Sequence, residues 1–118
     1  MGMLSERMFI HTKVFDRLWD SLGCNDTDLL ELQKAICENP QGAPVIRGTG
    51  GVRKIRIALE ARGKSGGARV LFGDFPEPGI VYLFVAYPKS AKEDINEEER
   101  QFLKSAMNQI NKNWRNRK

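Results

Sequence analysis

Two glycine-rich segments, each beside cations, are where this chain could handle an anion. Gly48-Thr49-Gly50-Gly51 runs directly into Val52-Arg53-Lys54-Ile55-Arg56. Consecutive glycines free backbone N–H groups to form an anion-binding concavity, and adjacent cations add charge. A tight turn feeding a strand explains the same residues with no ligand at all. The segment is not a P-loop, because it has no glycine followed, after four intervening residues, by Gly-Lys-Ser/Thr and a strand pattern follows where a helix should. The second segment is Gly63-Lys64-Ser65-Gly66-Gly67-Ala68-Arg69. Lys64, in the loop, could close on a phosphate, while Arg69 is fixed on a strand. A long hairpin turn with solubilising cations is the other reading, and composition does not separate the two.

Charge distribution sharpens the question. The 118 residues carry a net charge of only +4. Between Arg47 and Arg69, however, seven bases (Arg47, Arg53, Lys54, Arg56, Arg62, Lys64 and Arg69) face the single acid Glu60. From Met1 to Pro40 the balance reverses, with seven carboxylates against four Lys and Arg residues. A basic middle on a mildly acidic remainder implies one anion-facing surface, for which phosphate is the natural partner. A solvated charged hairpin is the plainer alternative.

The remaining composition excludes several classes. No apolar run approaches the roughly 20 residues that a membrane-spanning helix needs, and Met1–Arg7 lacks the apolar stretch of a signal peptide. Two cysteines, Cys24 and Cys37, with one histidine make neither a disulfide scaffold nor a zinc motif. A reduced cytoplasmic setting with no metal and no cofactor is expected. The length is that of one domain, 1–118, with residues 1–7 left outside the fold as an extension.

The elements that must position the cations follow from periodicity. Met8-Phe9-Ile10 reads as a short first strand. Thr12 caps a helix whose Val14, Phe15, Leu18, Trp19 and Leu22 recur at helical spacing and which Gly23 stops. Asp26 is read as the N-cap of a second helix carrying Leu29, Leu30, Leu32, Ala35 and Ile36, ended by Asn39-Pro40. The period then changes to two. Val52 to Glu60 alternates, with Arg53, Ile55, Ile57 and Leu59 on one face and Lys54, Arg56, Ala58 and Glu60 on the other. Ala68 to Phe72 and Ile80 to Tyr87 supply two more strands around the Pro76-Glu77-Pro78-Gly79 turn. The last strand is apolar on both faces and is therefore read as central. Asn96-Glu97-Glu98-Glu99 is a capping box opening a final helix through Phe102, Leu103, Met107, Ile110 and Trp114. The result is an α+β domain: a short N-terminal strand, a two-helix hairpin, a three-strand antiparallel meander and a C-terminal helix. One sheet face is expected under helices and the other partly open, with Lys54 and Arg56 pointing the same way.

The glycine-rich segments, taken with Tyr87-Pro88-Lys89-Ser90-Ala91-Lys92-Glu93-Asp94-Ile95, resemble the RelE/ParE toxin superfamily, most nearly its HigB-like branch. The resemblance runs from Phe9 to about Phe102 with the same order of elements. It implies a RelE-like fold and a toxin of a toxin–antitoxin pair that enters the ribosomal A site and cleaves mRNA. Its partner would be a helix-turn-helix antitoxin, and the free toxin would be a monomer. The family's basic pair on the second strand corresponds to Lys54 and Arg56, its arginine on the next strand to Arg69, and its lysine after the central strand to Lys89. Ser90 stands where RNA-cleaving members commonly carry an arginine, and Asn96 where they carry a tyrosine.

Such a site would work as a metal-independent endoribonuclease. RNA cuts itself when its 2′-OH is held in line with the adjacent phosphorus, so the protein must orient, stabilise charge and move protons. General acid–base help contributes about 10²–10⁴-fold, and fixed cations facing the developing charge supply much of the rest. Arg56 and Arg69 are assigned as phosphate clamps and Lys54 and Lys89 as proton-transfer groups. Arg47, Arg53, Lys64 and Lys92 are assigned to holding RNA. A lysine acts as a base near neutrality only where neighbouring cations or burial lower its pKa. His11 is a rival base, though far from the basic segment in sequence. Tyr82, Phe84 and Tyr87 are read as core, as are Trp19 and Trp114. Two other functions fit the same residues: a ParE-like toxin that inhibits DNA gyrase by binding it, and a plain RNA-binding module.

Overall fold

A computed structural model describes residues 6–58, 67–91 and 94–116. Its elements, in chain order, are β1 (Met8–His11), α1 (Lys13–Ser21), α2 (Asp26–Glu38), β2 (Arg53–Ile57), β3 (Ala68–Phe75), β4 (Ile80–Pro88) and α3 (Glu97–Arg115). The four strands form a sheet in the order β1-β4-β3-β2. β2, β3 and β4 pair antiparallel, and β1 adds to β4 in parallel. The α+β order read from the sequence is the order observed, and β4 is an inner strand as its two apolar faces require.

Local signals explain the helix starts. Thr12 caps α1, its hydroxyl accepting from the Phe15 N–H at 2.9 Å. The N-cap of α2 is Asn25, not Asp26 as expected. Asn25 and Asp28 exchange side-chain-to-backbone bonds in a full capping box, which leaves Asp26 inside the first turn near the positive end of the helix dipole. Asn96 and Glu99 repeat the same exchange at α3.

The sheet is covered on both faces. On the first, α1 and α2 bury Phe15, Trp19, Leu32 and Ile36 against Val70, Phe72, Val81 and Leu83. On the second, Leu103 and Met107 of α3 bury Val52, Leu71, Phe75 and Phe84. A fully buried side chain of this size contributes about 1.5–3 kcal/mol. The expectation of helices on one face is therefore corrected: α3 crosses the opposite face and leaves only part of it open. Gly73 permits the crossing. A Cβ there would lie 2.7 Å from Met107 Sδ and 3.1 Å from both the Phe75 and Phe84 rings.

β3 is longer than expected for related reasons. The strand runs on past Phe72 to Phe75, where Gly73 serves helix packing and Asp74 an ion pair. Asp74, with its side chain 1% exposed, receives Arg7 Nε at 2.6 Å and Nη2 at 3.2 Å. That contact raises the Arg7 pKa further above its ordinary value, chiefly through the hydrogen bond to Asp74. Arg7 thus belongs to the fold, and the extension read over residues 1–7 does not include it. Residues 1–5 lie outside the described residues.

One irregularity sets which way the end of β4 faces. Leu71 pairs with Val85 and Phe72 with Leu83, so Phe84 is an extra residue opposite no partner. This one-residue bulge switches the alternation: Tyr82 and Phe84 face α3, but so do Val85 and Tyr87. Thr12 holds the bulge. Its hydroxyl donates to the Phe84 carbonyl at 2.8 Å and its N–H to the Leu83 carbonyl at 3.1 Å. One threonine therefore starts α1 and fixes the bulge.

Two stability measurements follow. Arg7→Ala strands the buried Asp74 carboxylate and should lower unfolding free energy by about 3 kcal/mol, read from urea denaturation. Thr12→Val keeps the shape but loses the cap and the bond to Phe84. It should cost about 1–2 kcal/mol in the same assay.

Candidate functional site

The register of β2 on β3 decides which cations meet. Ile55 and Ile57 pack toward α1 and α2, so Lys54 and Arg56 face the other side. Arg56 pairs directly with Arg69, and Arg69 with Tyr87, giving the row Arg56–Arg69–Tyr87 across three strands. The next row is Lys54–Leu71–Val85. Leu71 lies under α3, and the Arg56 row lies next to it, with Arg69 3% and Tyr87 8% exposed. Lys89 follows β4 at the same end, where its N–H donates to the Gly67 carbonyl at 3.2 Å. Lys54, Arg56 and Arg69 thus share one face, and Lys89 follows at the same end of the sheet.

They are not equivalent. Arg56 and Lys89 are exposed and Lys54 is half-buried, while Arg69 is only 3% exposed. Arg69 therefore charges the row from within the sheet and offers little surface to a ligand. Like charges directly opposite each other across two strands oppose folding. Among the described residues, no carboxylate forms an ion pair with Lys54, Arg56 or Lys89.

The residues assigned to holding RNA divide. Arg53 faces away from Lys54 and Arg56. Its guanidinium donates to the Gln41 and Ala43 carbonyls at 2.8 and 2.6 Å, which ties down the loop between α2 and β2. Arg47 is exposed and lines a cleft of about 700 Å³ together with Lys54 and Arg56. Lys64 and Lys92 lie outside the described residues, as does most of the second glycine-rich segment. The first glycine-rich segment is a turn beneath α3. Buried Thr49 donates to the Ile46 carbonyl at 2.6 Å and accepts from the Val52 N–H at 3.0 Å. Gly48 has φ +79°, and a Cβ there would meet Arg100 Cδ at 2.8 Å. Of the two readings left open for this segment, the tight turn describes these contacts.

His11 is placed away from the basic row. It ends β1, the edge strand opposite β2, and its Nδ1 lies 2.9 Å from Asp16 while its ring meets Phe15 edge-on. Neither cysteine offers a nucleophile to the row. Cys37 sits near Arg7 and Asp74 on the α2 side, and burial pushes its thiol up despite the pull of Arg7.

Sequence reasoning missed two groups at the cleft, Arg100 and Asp94. Arg100 was hidden in the charged first turns of α3, where cations and acids read as a solvated helix face. It donates to the Arg47 carbonyl and lies 3.5 Å from Glu97, joining α3 to the loop before β2. Asp94 was read only as part of a motif. Tyr87 was read as core, and it is 8% exposed, but its place at the end of the arginine row makes it part of the site as well.

Exposed Arg56 and Lys89, with half-buried Lys54 in the next row, can bind a phosphodiester and stabilise charge building on it. Two comparisons bear on this geometry. The fold is similar to that of a mutant of the E. coli toxin RelE solved in the free state, with a TM-score of 0.52 at 20% identity, over 77% of this chain and 90% of that one. The family described as the RelE toxin of the RelE / RelB toxin-antitoxin system matches residues 6–117. With the match spanning nearly the whole domain, the chain belongs to the RelE toxin family.

Proposed function

We propose that this chain stops translation by cutting mRNA in the ribosomal A site, with its basic row doing the cutting. The observation that carries this reading is the arrangement of Arg56 opposite Arg69, with Lys54 one row away and Lys89 at the end of β4. Arg56 holds the scissile phosphate and meets the charge that builds on it. Arg69, from inside the sheet, adds positive potential. Lys54 takes the proton from the 2′-OH, and Lys89 gives one to the departing 5′-oxygen. The reaction is transesterification: the 2′-oxygen bonds to phosphorus as the bond from phosphorus to the 5′-oxygen breaks. It needs no metal, because lysines and arginines supply both charge and proton transfer. Arg47 holds RNA at the neighbouring cleft, and Lys64 and Lys92 add contacts to it.

The motif spacing supports the HigB-like branch, with a helix-turn-helix antitoxin as neutralising partner and a monomeric free toxin acting in the cytoplasm. Among the described residues no helix is long and apolar enough to cross a membrane.

Primer extension on a reporter mRNA in a reconstituted translation reaction tests the reading. Wild type should give discrete cuts that require ribosomes. Lys54→Ala/Arg56→Ala should lower cutting by at least roughly 10²-fold. Its unfolding free energy should stay within about 0.5 kcal/mol of wild type or rise, since a like-charge pair is relieved. Intact mRNA from folded, growth-arresting wild type would overturn nuclease action and point to a protein target such as gyrase.

A further inference from the structure

We infer that the cleft along the outer edge of β2 seats one unstacked base of the RNA and that Asp94 selects guanine there, an inference that rests on the RNA-cleaving reading above. The cleft, of about 700 Å³, has room for a nucleotide with its flanking phosphate. Its apolar lining includes Ile36, Ile46 and Ile55, and its cations are Arg47, Lys54, Arg56 and Arg100. Apolar walls suit the faces of a base, and cations suit the phosphates on either side of it. Lys54 and Arg56 belong both to this cleft and to the basic row. A base within a nucleotide of the scissile phosphate therefore reaches the cleft. Sequence-specific recognition of single-stranded RNA works in this way, on splayed bases read at their hydrogen-bonding edges.

Asp94 is the one carboxylate among the described residues that line the cleft. It forms no ion pair with a described residue, although Arg47, Lys54, Arg56 and Arg100 line the same cleft. Its backbone is anchored next door, where Ile95 is 7% exposed in the α3 core and Asn96 caps the helix. Arg100 is also held, by the Arg47 carbonyl and Glu97, so this side of the cleft is formed before any ligand arrives. An ionised carboxylate is an acceptor on both oxygens. Guanine alone presents two adjacent N–H donors, at N1 and N2, on its pairing edge. Adenine and cytosine set a ring acceptor beside the amine, and uracil flanks a single N–H with carbonyls. Each of those places a lone pair against a carboxylate oxygen.

The test uses the full chain and uridine hexamers carrying one central guanosine or adenosine, with 2′-O-methyl groups to block cleavage. Affinity is read by fluorescence anisotropy at fixed salt. Wild type should bind the guanosine hexamer about tenfold or more tightly than the adenosine one, the discrimination expected of a bidentate base contact. Asp94→Ala and Asp94→Asn should bind both hexamers with equal affinity. Equal affinities in wild type, a guanosine preference surviving in Asp94→Ala, or no binding of either hexamer would overturn the inference. Cutting of mRNA by a wild type that shows no base preference would overturn the cleft while leaving the nuclease standing. Intact mRNA with a guanosine preference that Asp94→Ala abolishes would support the cleft and remove the nuclease.

Discussion

The extra residue in β4 is the constraint on which the rest of the arrangement depends. Without the bulge at Phe84, strict alternation from Ile80 would send Tyr87 toward α1 and α2 and bring Ala86 to the basic face. With it, Val85 and Tyr87 fall into the rows of Leu71 and Arg69. The bulge frees one carbonyl at a crowded point, and Thr12 takes it. A buried carbonyl without such a partner would cost free energy comparable to a lost hydrogen bond. The start of α1 and the composition of the basic row on the far side of the sheet thus share one hydroxyl.

Both faces of the inner strands must be covered, and the chain does this unequally. Two helices fill the first face. A single helix crosses the second, brought close by Gly73 and by the turn from Gly48 to Gly51. At the end carrying Arg56, Arg69 and Lys89, Arg56 and Lys89 stay exposed while Arg69 is buried. Packing explains where a basic surface can persist.

Much of the fold was legible because its signals are local. Thr12, Asn96 and the periodic leucines name the helices, and the unbroken apolar run from Ile80 names the inner strand. The failures are as instructive. Asn25 displaced Asp26 as a cap because the reciprocal bond with Asp28, three residues on, decides the matter. The continuation of β3 past Phe72 was not legible because the reasons for Gly73 and Asp74 lie far away, in Met107 and Arg7. The bulge has no signature in a strand whose residues are apolar on both faces. At the site, alternation alone put Lys54 and Arg56 on one face. Bringing Arg69 beside them took the strand register, and Arg53 proved to be loop scaffolding. Arg100 and Asp94 could not be read at all, since nothing in a helix-start sequence says which cleft the helix will border.

The chemistry proposed for this row leaves a mark on its product. Attack by the neighbouring 2′-oxygen yields a 2′,3′-cyclic phosphate on the upstream fragment and a 5′-hydroxyl on the downstream one, whereas direct attack by water forms no cyclic phosphate. The decisive measurement is end-group analysis of mRNA fragments released in single turnover on ribosomes, by mass spectrometry. A 2′,3′-cyclic phosphate paired with a 5′-hydroxyl is the predicted result. Fragments released with a 3′-hydroxyl and a 5′-phosphate would contradict the account, because no arrangement of Lys54, Arg56 and Lys89 acting on the 2′-hydroxyl produces them.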